Sequence, residues 1–96
     1  MMNASDKLLM ALYHVDFGEL TEGKRALEET VQLAEKHGDQ PTLVSALCCL
    51  GEVCSYLQEN DLAVKMLKRC LSIHSAVDEV QTTHQTARLI LNQLRR

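Results

Sequence analysis

The chain has no tryptophan, one proline and only three aromatic residues, Tyr13, Phe17 and Tyr56, among its 96. A core without large rings must be aliphatic, and helices have few prolines to break them. The period-two alternation of Val, Ile and Thr that marks strands is missing as well. Ala, Leu, Glu, Gln and Lys abound instead, and all favour helix. No apolar run approaches the roughly 20 residues that span a bilayer. The chain does not open on a basic segment followed by an apolar one, as a secretory leader does. The expected location is therefore the cytoplasm, with the nucleus left open, where thiols stay reduced. Basic clusters are scarce too. Arg88, Arg95 and Arg96 form the one local group, at the end of the last apparent helix, where such charges complement the dipole. With a net charge of −3, nucleic acid is not expected as a ligand, because phosphate binding wants a basic stripe.

What is present suits one small helical domain: 46% apolar residues, 24% charged. Apolar positions follow a helical period through five segments. Asn3 or Ser5 can cap the first, which runs to about Phe17 before Gly18 breaks the pattern. Thr21 can cap the second, which ends near Lys36-His37 with Gly38 as a left-handed stop. Asp39-Gln40-Pro41 restarts the chain, with proline in the first turn, and the third segment reaches about Leu57. Asn60 can cap the fourth, to about Ser75, and Asp78 opens a fifth that runs almost to Arg96. In the third, Leu47, Leu50, Cys54 and Leu57 share a stripe, as do Ala63, Leu67, Cys70 and Leu71 in the fourth. Connections this short make successive helices pack antiparallel.

All four cysteines lie between Cys48 and Cys70, in the run "CCLGEVCSYLQENDLAVKMLKRC". A structural zinc site needs four ligands at chelating spacing, such as two Cys-x2-Cys pairs. Adjacent Cys48 and Cys49 diverge on a helix, and no Cys-x-x-Cys redox motif occurs. Cys54 and Cys70 read as small core residues at helix crossings. The histidines form no His-x3-His pair, although His74 lies one turn beyond Cys70. No nucleophile–base pair, phosphate loop or carboxylate cluster suggests an enzyme. No metal and no cofactor is expected.

Sliding the chain forty residues along itself pairs Met10 with Leu50, Ala11 with Gly51, Phe17 with Leu57 and Gly23 with Ala63. It also pairs Leu27 with Leu67, Thr30 with Cys70 and Val31 with Leu71. A third, half copy aligns Ala87 with Leu47, Ile90 with Leu50 and Leu94 with Cys54. Leu91 then stands where Gly51 and Ala11 stood, so no close-packed partner helix is required after it. A fixed period of helix–turn–helix units marks a repeat array. Leu50-Gly51 followed by Ala63 and Leu67 resembles the tetratricopeptide pattern, with Leu47, Cys54, Leu67 and Ser75 in place of its Trp, Tyr, Phe and Pro. Gly51 and Ala63 would sit where the helices of one unit cross closely, and Ala11 and Gly23 would do so in the first unit. The spacing exceeds the common repeat of about 34 residues. It is similar to the longer repeats of kinesin light chains and spindle-orientation scaffolds, a group in which "LAEKHGDQ" before a new helix is typical.

The resemblance implies an all-α, right-handed array: one unit at about residues 4–39, a second at about 40–77 and a capping helix at about 78–96. It also implies a non-enzymatic protein-interaction module, acting as an adaptor or scaffold that holds a partner peptide or helix in a concave groove. On that geometry the groove takes Leu8, Leu12 and Val15 from the first unit and Cys48, Glu52, Ser55 and Tyr56 from the second. The last helix adds Gln85, Arg88, Asn92 and Arg95. Such a groove is apolar at one end, acidic in the middle and basic at the other. Leu8 and Leu12 occupy places where a Lys and an Asn clamp a peptide carboxylate in some members, so that ligand is not expected. Arg88 and Asn92 share a face and suit an acidic segment.

The first helix is apolar on nearly every side, through Leu8, Leu9, Met10, Leu12, Tyr13 and Val15. A terminal helix of this kind wants a cover: a partner peptide, a second copy forming a homodimer, or a preceding repeat of a larger array. Leu8, Leu12 and Val15, opposite Met10 and Phe17, are the expected exposed patch.

Overall fold

The computed structural model of the chain describes residues 2–74 and 77–95, and they form five α-helices: α1 (Ala4–Asp16), α2 (Leu20–His37), α3 (Gln40–Tyr56), α4 (Asn60–Ser72) and α5 (Asp78–Leu94). No strand occurs among the described residues. No helix among them is long and apolar enough to cross a membrane. Two expected features, Ser75 as the end of the fourth helix and Arg96 in the basic cluster, lie outside the described residues.

Asn3 caps α1, accepting the Asp6 amide at 2.8 Å. Asp39 caps α3 through the Thr42 amide at 3.3 Å, with Pro41 in the first turn. Thr21 and Asn60 do not cap: α2 and α4 begin earlier, with Glu19 and Glu59 at the cap position and no side-chain cap bond. The reason lies in how the preceding helices end. Gly18, Gly38 and Gln58 all have positive φ, at 77°, 66° and 64°. Around each, the next amide reaches back to the helix: Glu19 N to His14 O at 2.9 Å, Asp39 N to Ala34 O at 2.9 Å, Glu59 N to Cys54 O at 2.9 Å. These are Schellman ends, and the sharp reversal lets the next helix start at once. Positions 18, 38 and 58 are evenly spaced, so the forty-residue period is built from two equal halves. Gln58 takes the left-handed conformation without being glycine, a cost α3 bears and α1 and α2 avoid.

The molecule is a slab of 41 × 32 × 18 Å, about two helix layers thick. α3 is its centre, touching α1, α2, α4 and α5. α1, α3 and α5 form one layer. α2 and α4 form the other, tied by Lys24–Glu59 at 2.6 Å and by the Arg69–Glu35 ion pair. The core is aliphatic, with Leu27, Leu47, Leu67, Val44, Val53 and Val80 fully enclosed. Cys54 and Cys70 are fully enclosed too.

The crossings within the two units match across the forty-residue step with their residues exchanged. In the first, a Cβ built at Gly23 would stand 2.7 Å from Val15 Cγ2 and 3.7 Å from the Ala11 oxygen. In the second, one built at Gly51 would stand 2.6 Å from Leu67 Cγ and 3.3 Å from the Ala63 oxygen. Each crossing thus pairs one Gly with one Ala. Thr30 and Cys70 are likewise both buried, each bonding a carbonyl: Thr30 Oγ1 to Ala26 O at 2.7 Å, Cys70 Sγ to Val44 O at 3.6 Å.

α5 keeps the forty-residue register but is less covered than α3. Ala87 is buried, but Ile90 and Leu94 are only half-buried, and the enclosed stripe is Val80, His84, Ala87 and Leu91. Leu91 is buried like its counterparts Ala11 and Gly51. α4 also stops at Ser72 without a left-handed turn, with Ile73 extended. His84 Nε2 lies 3.0 Å from the Cys70 carbonyl. A carbonyl only accepts, so Nε2 carries the proton and helps close the end of α4.

Candidate partner-binding cleft

Where α1, α3 and α5 come together, a cleft of about 310 Å3 opens. Leu8 and Leu12 form one wall, Ser45, Cys48 and Cys49 the floor, and Thr82, Thr83 and Thr86 the other wall. None of these side chains is charged. Each threonine hydroxyl has a target in its own helix: Thr82 to Asp78 O at 3.1 Å, Thr83 to Glu79 O at 2.8 Å and Thr86 to Thr82 O at 3.4 Å. With the protons so used, the hydroxyl oxygens retain acceptor capacity. Cys48 Sγ reaches Thr83 O at 3.9 Å, joining floor to wall.

The thiols are held protonated. The Cys48 thiol lies well above its ordinary value, first through its hydrogen bond with Cys70 and then through burial. Burial, followed by the nearby Cys48 and Glu52, pushes Cys49 up to about 12. Cys54 is also raised by burial. The floor of the cleft is thus uncharged near neutral pH and its sulfurs are poor nucleophiles. No group of three or more His, Cys, Asp or Glu able to hold a metal occurs among the described residues.

Of the residues expected in a groove, Leu8, Leu12 and Cys48 meet here. Val15 packs instead against Gly23 of α2. Glu52, Ser55 and Tyr56 lie farther along α3. Ser55 is tied to the Glu52 carbonyl at 2.7 Å, and Tyr56 is exposed. Gln85, Arg88, Asn92 and Arg95 are exposed on α5 but do not line the cleft. At about 100° per residue, Arg88, Asn92 and Arg95 fall on a different flank from Thr82 and Thr86. The acidic middle and basic end expected of the groove are therefore absent from this cleft, since Glu52 lies farther along α3 and Arg88, Asn92 and Arg95 lie on another flank of α5. Ser45, Cys49 and the three threonines were not anticipated. Their one trace in the sequence is "QTTHQT", which sets Thr82 and Thr86 one turn apart.

The expected patch on α1 is also reversed. Leu8, Leu12 and Val15 are half-buried, whereas Leu9, Met10, Tyr13 and Phe17 are exposed. Ala11 and Gly23 decide this: their close approach turns the Leu8–Val15 side inward and leaves the Met10–Phe17 side open.

No protein-family model, curated protein or solved structure matches this chain.

Proposed function

We propose that the chain is a non-enzymatic, tetratricopeptide-like interaction module that holds a segment of a partner protein in the cleft between α1, α3 and α5, as an adaptor or scaffold does. The observation that carries this reading is the cleft's chemistry: an uncharged aliphatic and thiol surface beside threonine oxygens free to accept. Such a wall suits peptide N–H donors, and such a floor suits small apolar side chains. A charged segment would lose its hydration with nothing to replace it. The repeat register from Ala11 to Leu71 supports the same reading.

Panning a random peptide library on the purified chain tests it. Selected peptides should be apolar and uncharged over the bound stretch. Thr86→Arg, at an exposed position, should fill the cleft mouth and abolish their binding without loss of helicity. Peptides rich in Asp, Glu, Lys or Arg, or binding indifferent to Thr86→Arg, would refute the assignment.

A further inference from the structure

All three aromatic side chains of this protein lie outside its core. Two of them share one face of α1 with two aliphatic residues, at exposures of 64% for Leu9, 51% for Met10, 61% for Tyr13 and 68% for Phe17. The rings of Tyr13 and Phe17 touch, with centroids 4.6 Å apart. Leu9, Tyr13 and Phe17 stand four residues apart in one ridge, and Met10 flanks it.

Forty residues on, the same positions of α3 are Cys49, Leu50, Val53 and Leu57. Leu50 and Val53 are buried, Cys49 and Leu57 half-buried, and all four belong to the core or pack against it. The counterpart of the open face is therefore an internal seam, and a face of this composition is suited to being covered. A head-to-tail stack of two copies cannot repeat the seam inside the chain, because the side of α3 and α4 onto which another α1 would fit is already occupied by α5, which packs on both. A contact of α1 with α1 displaces nothing. With the two helices antiparallel, a two-fold axis at Tyr13 sets the aliphatic end, Leu9 and Met10, of each copy on Phe17 of the other. The same arrangement opposes the two helix dipoles. Since a full aromatic side chain presents about 150–250 Å2, the four exposed side chains offer roughly 500 Å2 per copy. Two copies together bury about 1,000 Å2, the lower bound for a specific interface.

We propose that the Leu9–Met10–Tyr13–Phe17 face of α1 closes on the same face of a second copy, giving a two-fold dimer centred on Tyr13. This surface is separate from the cleft, so either assignment can fail without the other. Light scattering on the full chain at high micromolar concentration should give twice the chain mass. Leu9→Glu with Phe17→Glu, both at exposed positions, should halve that mass with the circular dichroism spectrum unchanged. Leu89→Glu, at an equally exposed leucine on α5, should leave the dimer intact. Tyr13→Cys should form an intermolecular disulfide under mild oxidation, since the two copies of residue 13 face each other. A monomeric parent overturns the proposal, as does a dimer that survives the double substitution or one that Tyr13→Cys does not cross-link. A parent that is monomeric yet binds a different protein through Leu9 and Phe17 overturns it too, because the occupant is then not a second copy.

Discussion

Adding one methyl group at Gly51 probes the crossing of α3 and α4, and the same change at Gly23 supplies its control. At Gly51 the new Cβ would stand 2.6 Å from Leu67 Cγ and 2.7 Å from its Cδ2, with the Ala63 carbonyl oxygen at 3.3 Å. Leu67 is fully enclosed, and its branch point cannot retreat without moving the side chain as a whole. Overpacking of this kind costs about 1–3 kcal/mol. Because the clash is with an enclosed branch point, the cost falls in the upper part of that range, about 2–3 kcal/mol. Alanine's better helix propensity returns up to about 1 kcal/mol, which leaves Gly51→Ala destabilised by about 1–2 kcal/mol. At Gly23 the close neighbour is a terminal methyl, Val15 Cγ2 at 2.7 Å, on a half-buried side chain. The next contacts, Val15 N at 3.5 Å and the Ala11 oxygen at 3.7 Å, are ordinary. Rotating Val15 costs about as much as the propensity gain returns, so Gly23→Ala should be within about 0.5 kcal/mol of the parent. For a domain of this size each kcal/mol moves the melting temperature by about 4–8 °C. Melts followed by far-ultraviolet circular dichroism should therefore rank Gly51→Ala clearly below Gly23→Ala. Equal losses at both positions, or an unchanged melt for Gly51→Ala, would refute the account of the crossings.

Gln58→Gly should stabilise the chain by about 0.5–1 kcal/mol in denaturant titration, because the left-handed conformation at φ 64° ceases to be strained. His84→Leu should cost about 1–3 kcal/mol in the same assay by removing the donor to the Cys70 carbonyl, and His84→Gln, which keeps an N–H, should lose less. Cys49 should react with iodoacetamide near neutral pH roughly a thousandfold more slowly than a free thiol until the chain unfolds, because its pKa of about 12 lies far above the usual 9.0; alkylation followed by mass spectrometry reads this. Lys24 is raised above 10.5, first by its hydrogen bond to Glu59. A raised lysine stabilises fully below the unfolded value and loses that contribution as pH rises through the folded one. The stability difference between the parent and Glu59→Gln should thus be flat through neutral pH and shrink as pH rises past 10.5 and Lys24 loses its proton.

The helices, and the ends of the first two, follow from local chemistry. Asn3 offers a cap oxygen three residues before Asp6, and Gly18 and Gly38 alone accept positive φ without strain. Small residues at 11, 23, 51 and 63 mark the crossings, where a Cβ at Gly23 or Gly51 would stand 2.7 or 2.6 Å from the facing side chain. The starts of α2 and α4 were less legible. Thr21 and Asn60 have the right side chains for caps, but the reversal at Gly18 and Gln58 satisfies the backbone first. Gln58 carries no mark of a left-handed residue, so only its place forty residues after Gly18 hints at it.

Of the eight residues that line the cleft, three, Leu8, Leu12 and Cys48, could be named from the repeat register. Where the helices run and where they cross follows from the residue pattern. Which faces of each helix find a cover came from tertiary packing alone. α1 is apolar on almost every side, so periodicity cannot choose a face. The Ala11–Gly23 contact turns Leu8 and Val15 inward and leaves Met10, Tyr13 and Phe17 open, although Leu50, the counterpart of Met10, is buried between neighbours. α5 packs only on α3 and α4. It encloses His84, Ala87 and Leu91 as α3 encloses Val44, Leu47 and Gly51, but with no further helix beyond it among the described residues Ile90 and Leu94 stay half-buried where Leu50 and Cys54 are enclosed. Arg88 and Asn92, the counterparts of Cys48 and Glu52, stay exposed on a flank away from the cleft, and three threonines stand at its wall. The cause is the number of neighbours each helix has, and a residue's spacing along its own helix does not encode it.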